Sequence, residues 1–244
     1  MKLLIDNMKG IYFISLKDMK TYYLKAPALS WGIVFPFTWI LGFYLRNPTS
    51  FKELVPGLIA MTILFSTTAA ESVVINLELR YGSFERLLLA PLSMTSILLG
   101  KVFGGFIFGA LMTSIVLLIS VLGLQLHINY FQLILIIVPS LLVFSSLGAL
   151  ISLSVKEVMD AQTLLNIPRF LMIFISGVVF PVSKMPNPLQ WLSKLMPLTY
   201  TVIGVRASMV DGQVGPILLN TLVISIFAIV FLLLANRLLR RRFQ

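Results

Sequence analysis

The sequence predicts an all-α, polytopic membrane protein with six transmembrane helices. Two observations carry that prediction, and a third bounds the chemistry. Of its 244 residues, 58% are hydrophobic and only 11% charged, far from the balance of a water-soluble domain. The apolar residues gather into six runs, each close to the roughly 20 residues that cross a bilayer. Cysteine is absent and His127 is the only histidine, which removes disulfides, thiolate nucleophiles and Cys/His zinc sites.

Taken in order, residues 1–26 predict an amphipathic interfacial helix. At 100° per residue Leu4, Ile5, Met8, Tyr12, Leu16, Met19, Tyr22 and Tyr23 share one arc, and Lys2, Asp6, Lys9, Lys17 and Lys20 the other. Lysines and tyrosines suit the headgroup layer, so this helix is expected to lie along the membrane with no soluble core to pack on. Met1 to Gly10 has neither an apolar run nor a small-residue cleavage pattern, so no secretory signal peptide is expected there. Residues 27–244 form the membrane domain, with spans at 28–45, 55–77, 97–124, 131–155, 161–182 and 214–236. Aromatic residues crowd the first of these (Trp31, Phe35, Phe37, Trp39, Phe43, Tyr44), where they line a path or meet lipid and neighbouring helices.

Orientation follows from the 19 Lys and Arg, set against 9 Asp and Glu. Thirteen of the 19 fall on one side: the amino-terminal lysines, Arg80, Arg86, Lys101, Lys156, and Arg237 with Arg240, Arg241 and Arg242. The positive-inside rule makes that side cytoplasmic and places both termini there, in the cell membrane. The net charge of +10 is thereby explained by topology, and nucleic acid is not expected as a partner. Between the fifth and sixth spans, residues 187–209 predict two short outer-leaflet, re-entrant helices broken at Pro197, with Trp191 and Tyr200 at interfacial depth.

No catalytic constellation can be placed. The chain lacks a paired-carboxylate site and a phosphate loop, because Gly100-Lys101 is followed by Val102. It is therefore expected to bind no metal and not to hydrolyse ATP by itself. Two charges fall inside spans, Glu71 and Arg169. Either Thr67 or Thr68 is placed to satisfy Glu71, while Arg169 is placed to snorkel; together they are a structural polar pair or part of a transport path. Gly100, Gly104, Gly105 and Gly109 form overlapping four-residue spacings, a smooth stripe for close helix packing.

The segment between spans two and three is the most informative. Gly82 is suited to end one helix with a left-handed residue and Ser83 to cap the next. Glu85 suits its positive amino end, and Pro91 stops it, giving a short helix at 83–91. Phe84, Leu87 and Leu88 make its apolar face, and Glu85 and Arg86 stay wet. Such a helix is either an elbow on the lipid surface or a knob for a groove in a cytoplasmic partner.

On these residues the sequence resembles the permease subunits of type-two ATP-binding-cassette (ABC) exporters, the drug, polysaccharide and lipo-oligosaccharide export group. The run Gly82-Ser83-Phe84-Glu85-Arg86-Leu87-Leu88-Leu89-Ala90-Pro91-Leu92-Ser93 is similar to that family's Gly-Thr-x-Glu-x-Leu pattern with its Pro-Leu-Ser end. Ser176-Gly177-Val178-Val179-Phe180-Pro181, Met185-Pro186 and Pro197-Leu198-Thr199-Tyr200 resemble its late signature. Ser83 replaces the usual Thr, and Arg80-Tyr81 stand where acidic residues are common. The resemblance implies a half-size permease that pairs with a second copy or a paralogue and with two separate ATPase subunits, which bind the ATP and Mg. It implies that 83–91 is a coupling helix and that substrate, a drug, lipid or glycan, leaves past Phe180, Pro181 and Tyr200. A secondary transporter or channel is the alternative, disfavoured by the scarcity of buried titratable groups.

Overall fold

The computed structural model describes residues 2–25, 29–46, 51–155, 157–211 and 214–243. The expected start of the first span at residue 28, Lys156 and the side chains of Leu4, Ile5 and Trp31 fall outside what is described. Among the described residues every regular element is helical. We number them α1 (Lys2–Asp18, extended by a π-helical turn Met19–Tyr23), α2 (Phe35–Arg46, preceded by a π-helical turn Ser30–Val34), α3 (Phe51–Arg80), α4 (Ser83–Leu88) and α5 (Met94–Leu124). Then follow α6 (Tyr130–Ser154), α7 (Val158–Ile175), α8 (Asn187–Ser193), α9 (Pro197–Arg206, with a π-helical turn Ala207–Asp211) and α10 (Val214–Phe243).

Four of these helices, α3, α5, α6 and α10, are long and apolar enough to cross a membrane. The predicted first and fifth spans correspond to shorter apolar helices: α2 has 12 residues, and α7 has 18 and includes Asp160 and Arg169. α7 also stops at Ile175, seven residues before the expected 182. The cause is local: Gly177 takes a left-handed φ of 81° and Pro181 follows, a combination that ends a helix. Other termini are set by caps. Ser93 accepts from the Ser96 amide at 3.0 Å to start α5, and Asn129 accepts from the Gln132 amide at 3.2 Å to start α6.

α3 is the central post of the bundle, packed by α2, α5, α6, α7 and α9. Its buried face carries Thr62, Ser66, Thr67, Thr68, Glu71 and Ser72. α10 lies outside, packed mainly on α6. α1 has found a partner the sequence did not announce. It runs in step with the first turns of α5: a Cβ on Gly10 would stand 2.6 Å from Leu92, and one on Gly100 would stand 2.9 Å from Ile14. Met8, Tyr12 and Phe13 point outward, so α1 keeps an apolar arc for its surroundings while a second, narrow seam grips the bundle.

Candidate functional site

The tightest polar assembly lies where α1, α3 and α5 meet. Lys101 of α5 is fully buried and donates to both oxygens of Asp18, at 3.1 and 2.9 Å. Its ammonium also pairs with Glu78 in the last turn of α3. Lys17 binds Glu78 from the other side and stands 3.3 Å from Asp18. Lys101, Asp18 and Glu78 are buried and the half-exposed Lys17 closes the cluster, so two cations and two carboxylates neutralise one another, the condition under which buried charge is tolerable. Burial pushes the Asp18 carboxyl above the usual carboxylate range, against the pull of Lys101. The close approach depends on Gly100, whose carbonyl also accepts from Ser15 Oγ at 2.7 Å.

Glu71 lies one layer deeper and fully buried. Its Oε1 accepts from the Gly105 amide at 2.9 Å, the Tyr23 hydroxyl at 3.3 Å and Ser145 Oγ at 3.3 Å. Thr67 and Thr68, the partners expected from sequence, instead donate to the Ile63 and Leu64 carbonyls of their own helix. The expectation fails because threonine in a helix bonds the carbonyl one turn back. Arg169 does not snorkel either. It is 1% exposed, donates through Nε to Thr68 Oγ1 at 2.8 Å and through Nη1 to Asn166 at 3.2 Å, and lies over the Phe65 ring at 5.2 Å. Among the described residues no salt bridge joins Glu71 to Arg169; Arg169 reaches α3 at Thr68, one turn before Glu71.

The glycines of α5 each receive a neighbour. Gly104 meets Tyr23, Gly105 meets Glu71 and Ser145, and Gly109 meets Thr67 and Leu141. The stripe is therefore occupied by contacts within this chain, and three of its four members border the polar assemblies just described.

The segment 82–91 forms a short helix set off from α3. Gly82 takes φ 67°, the left-handed conformation that turns the chain without strain. Ser83 does not cap α4, because its hydroxyl points back to the Glu78 carbonyl at 3.4 Å. The helix ends at Leu88, earlier than 91, with a turn from the Ala90 amide to the Leu87 carbonyl at 3.2 Å. Phe84 is buried and stacks on Phe243 of α10 at 5.5 Å with rings 8° from parallel, over a core that includes Ile14, Ile97 and Leu239. Glu85 and Arg86 are exposed, Leu87 and Leu88 half-buried. Leu89, directly after α4, is an apolar side chain held outward at 87% exposure.

At the other end, Phe180 stands edge-on to Phe43 at 6.2 Å, and Pro181 and Arg206 line a cavity of about 380 Å³. Arg206 donates to the Gly177 carbonyl at 3.3 Å. Tyr200 donates to the Lys194 carbonyl at 2.7 Å and faces Phe227; it does not line that cavity. Among the described residues no cluster of three or more His, Cys, Asp or Glu could hold a metal ion.

Sequence reasoning missed Asp18, Tyr23 and Glu78 and read Lys101 as a topological anchor. The available signal was Lys101 itself, a charge between Gly100 and Gly104 within an otherwise apolar helix.

A bundle of apolar helices with a buried polar spine, a glycine-packed seam and a short projecting helix defines a multi-pass membrane protein of the transport-permease class. The ABC-2 type transporter family matches residues 11–210, and the chain belongs to that family. It is 28% identical over 197 residues to a protein named probable multidrug ABC transporter permease YbhS of Escherichia coli K12, covering 78% of this chain and 52% of that protein. It is 41% identical over 81 residues to nodulation protein J of Sinorhizobium fredii, 33% of this chain and 30% of that one. It is also 26% identical over 193 residues to the inner membrane transport permease YadH of E. coli K12, 77% and 74% of the respective chains. The chain thus spans about half the length of YbhS.

Proposed function

We propose that this chain is the membrane permease subunit of an ABC exporter, forming the substrate path and driven by ATP hydrolysis in separate ATPase subunits. α2 and α7 complete a six-span bundle with α3, α5, α6 and α10, both termini face the cytoplasm of the cell membrane, and α8 and α9 lie in the outer leaflet. A second copy or a paralogue supplies the other half of the path. The substrate is a drug, lipid or glycan. Residues 1–26 act as an interfacial helix. Residues 82–91 receive the motion of the ATPase, and Glu71, Arg169, Phe180, Pro181 and Tyr200 belong to the path or its gate.

One observation carries this reading: α4 is held by a single buried ring, Phe84, at a junction where α1, α5 and α10 also meet, while Glu85, Arg86 and Leu89 face outward. A knob anchored to several helices transmits a push to the bundle, and an elbow resting on lipid needs no such anchorage. The test is co-purification with an ATPase encoded by a neighbouring gene, followed by export and ATPase assays of the double variant Glu85→Ala, Leu87→Ala. Export is expected to fall about tenfold or more with permease abundance unchanged. Absence of any bound ATPase, or unimpaired export in the double variant, would overturn the proposal.

A further inference from the structure

Among the described residues, α1 and its π-helical turn hold the bundle by polar links from Asn7, Ser15, Lys17, Asp18 and Tyr23. All of these except the Tyr23 link can part without orphaning a buried group. Lys17 and Asp18 stand 3.3 Å apart on α1 itself, and Lys101 pairs with Glu78 within the bundle, so the charges divide along the seam into two neutral pairs. Ser15 Oγ already donates to the Ile11 carbonyl of its own helix at 2.9 Å, beside its 2.7 Å bond to the Gly100 carbonyl. Asn7 meets the Ser93 amide at an exposed position, where water can replace either partner. A permanent joint has no use for such duplicates, because a buried charge or hydroxyl that never loses its partner requires only one.

Tyr23 is the exception, and it lies at the end of a change in helix type. Met19–Tyr23 is a π-helical turn, closed by the Leu24 amide on the Met19 carbonyl at 3.3 Å; such turns concentrate at functional positions in helices. Residues five apart point about 140° from each other on an α-helix. Here Asp18 and Tyr23 both face α5: a Cβ on Gly104 would stand 3.1 Å from the Tyr23 ring and 3.7 Å from Asp18 Cβ. Tyr23 is fully buried and stacks on Phe108 at 5.5 Å, which anchors the chain on the far side of the turn. On the near side Ile14 is buried in the cluster that also holds Phe84 of α4, and Ser83 of α4 donates to the Glu78 carbonyl. α4 is thereby linked to both the apolar and the charged part of the seam. Met8, Tyr12 and Phe13 face outward and keep a released α1 at the membrane surface.

We infer that the α1–α5 seam is a separable joint, closed in this structure, and that Lys2–Asp18 swings off α5 about the Met19–Tyr23 turn when the ATPase moves α4. Lys17 and Asp18 leave as one neutral pair, Lys101 and Glu78 remain as the other, and Tyr23 stays on Glu71. Glu78 is then a positioning residue: it keeps Lys101 paired while α1 is away. The inference rests on the exporter reading for the force that opens the joint, and deepens that reading by naming the part that moves.

The chain contains no cysteine, so introduced thiols read the joint directly in nanodiscs, with and without the co-purified ATPase. Ile14→Cys, buried under the closed seam, is expected to react with a water-soluble maleimide about tenfold faster once the ATPase is trapped with ATP. A Cβ on Gly10 stands 3.3 Å from Leu92 Cγ, so Gly10→Cys with Leu92→Cys should form a disulfide across the seam. That lock should lower export about tenfold or more until it is reduced. Glu78→Gln separates a joint from a static brace. It deletes ion pairs to both lysines, so a brace would loosen and Ile14→Cys would label faster. In a separable joint the same change tightens α1, because the departure of Asp18 would leave Lys101 buried and unpaired. Labelling should then slow several-fold, and adding Lys101→Met should restore its rate. Export unimpaired by the disulfide, or faster labelling in a folded Glu78→Gln chain, overturns the joint. ATP-driven export with Ile14→Cys protected throughout does the same and leaves the exporter reading standing. Failure of any ATPase to co-purify removes the exporter reading, and the Glu78→Gln contrast in the permease alone still decides the joint.

Discussion

α3 and α10 are each 30 residues long and each apolar enough to cross a bilayer, yet they occupy opposite surroundings. Along its most apolar stretch α3 is 94% buried, against 22% for α10. The buried helix is the more polar one. α3 carries Glu71, Glu78, Asn76 and a series of buried hydroxyls, whereas α10 shows Leu218, Leu219, Leu222, Ile226, Ile229 and Leu233 to its exterior. In water, burial follows apolarity. In lipid an apolar side chain gains little by moving from tails to protein, and a polar one gains much, so the helix that carries hydroxyls and carboxylates goes to the centre. α3 makes that tolerable partly alone, since Thr62 and Ser66 donate to carbonyls one turn back at 2.9 and 2.6 Å. Neighbours meet others: Thr68 accepts from Arg169 and Ser72 from Gln162, the latter at 2.7 Å.

If that contrast is right, substitutions should rank by the polar partner they orphan. Lys101→Met should have the largest effect. It leaves Asp18 and Glu78 buried with only the half-exposed Lys17, at a cost of about 3–5 kcal/mol, read as loss of folded yield or a lower melting temperature in detergent. Adding Asp18→Asn should recover part of it; no recovery would mean that the ammonium acts by packing and not by charge balance. Thr68→Val should cost less, about 1–3 kcal/mol, because Arg169 loses the acceptor of its Nε and keeps Asn166 and the Phe65 ring. Leu222→Ala on the outer face of α10, where the side chain is 61% exposed, should change stability by less than about 0.5 kcal/mol. A large loss there would show that α10 is covered by another protein surface and not by lipid.

How much of this was legible in the sequence varies by element. The long helices were, because an apolar run of fixed length is a local property. The turn at Gly82 was, because only a few residues tolerate φ 67°. The cap expected at Ser83 was not, since its hydroxyl found the Glu78 carbonyl that α3 happens to present. The shortness of α7 was hidden by apolar residues on both sides of Gly177, which continue the hydropathy of the run after the helix has stopped. Arg169 stood out as a charge in a span, but its acceptor Thr68 lies 101 positions away, beyond the reach of any local pattern. The charge cluster was the least legible part, since Asp18 and Lys101 are 83 positions apart and each taken alone resembles an ordinary interfacial charge.

The sequence by itself determined that this protein lives in a membrane, that its helices are long and apolar, and that a short, separately started helix follows Gly82. These follow from composition and backbone chemistry within a few residues. Only the tertiary structure decided which helix stands at the centre, that α1 reaches into the bundle through Asp18 and Tyr23, and that Glu71 and Arg169 find separate partners and do not pair with each other. The reason is physical: apolar length is read by the bilayer one helix at a time, whereas a buried charge is tolerated only through partners that other helices bring to it.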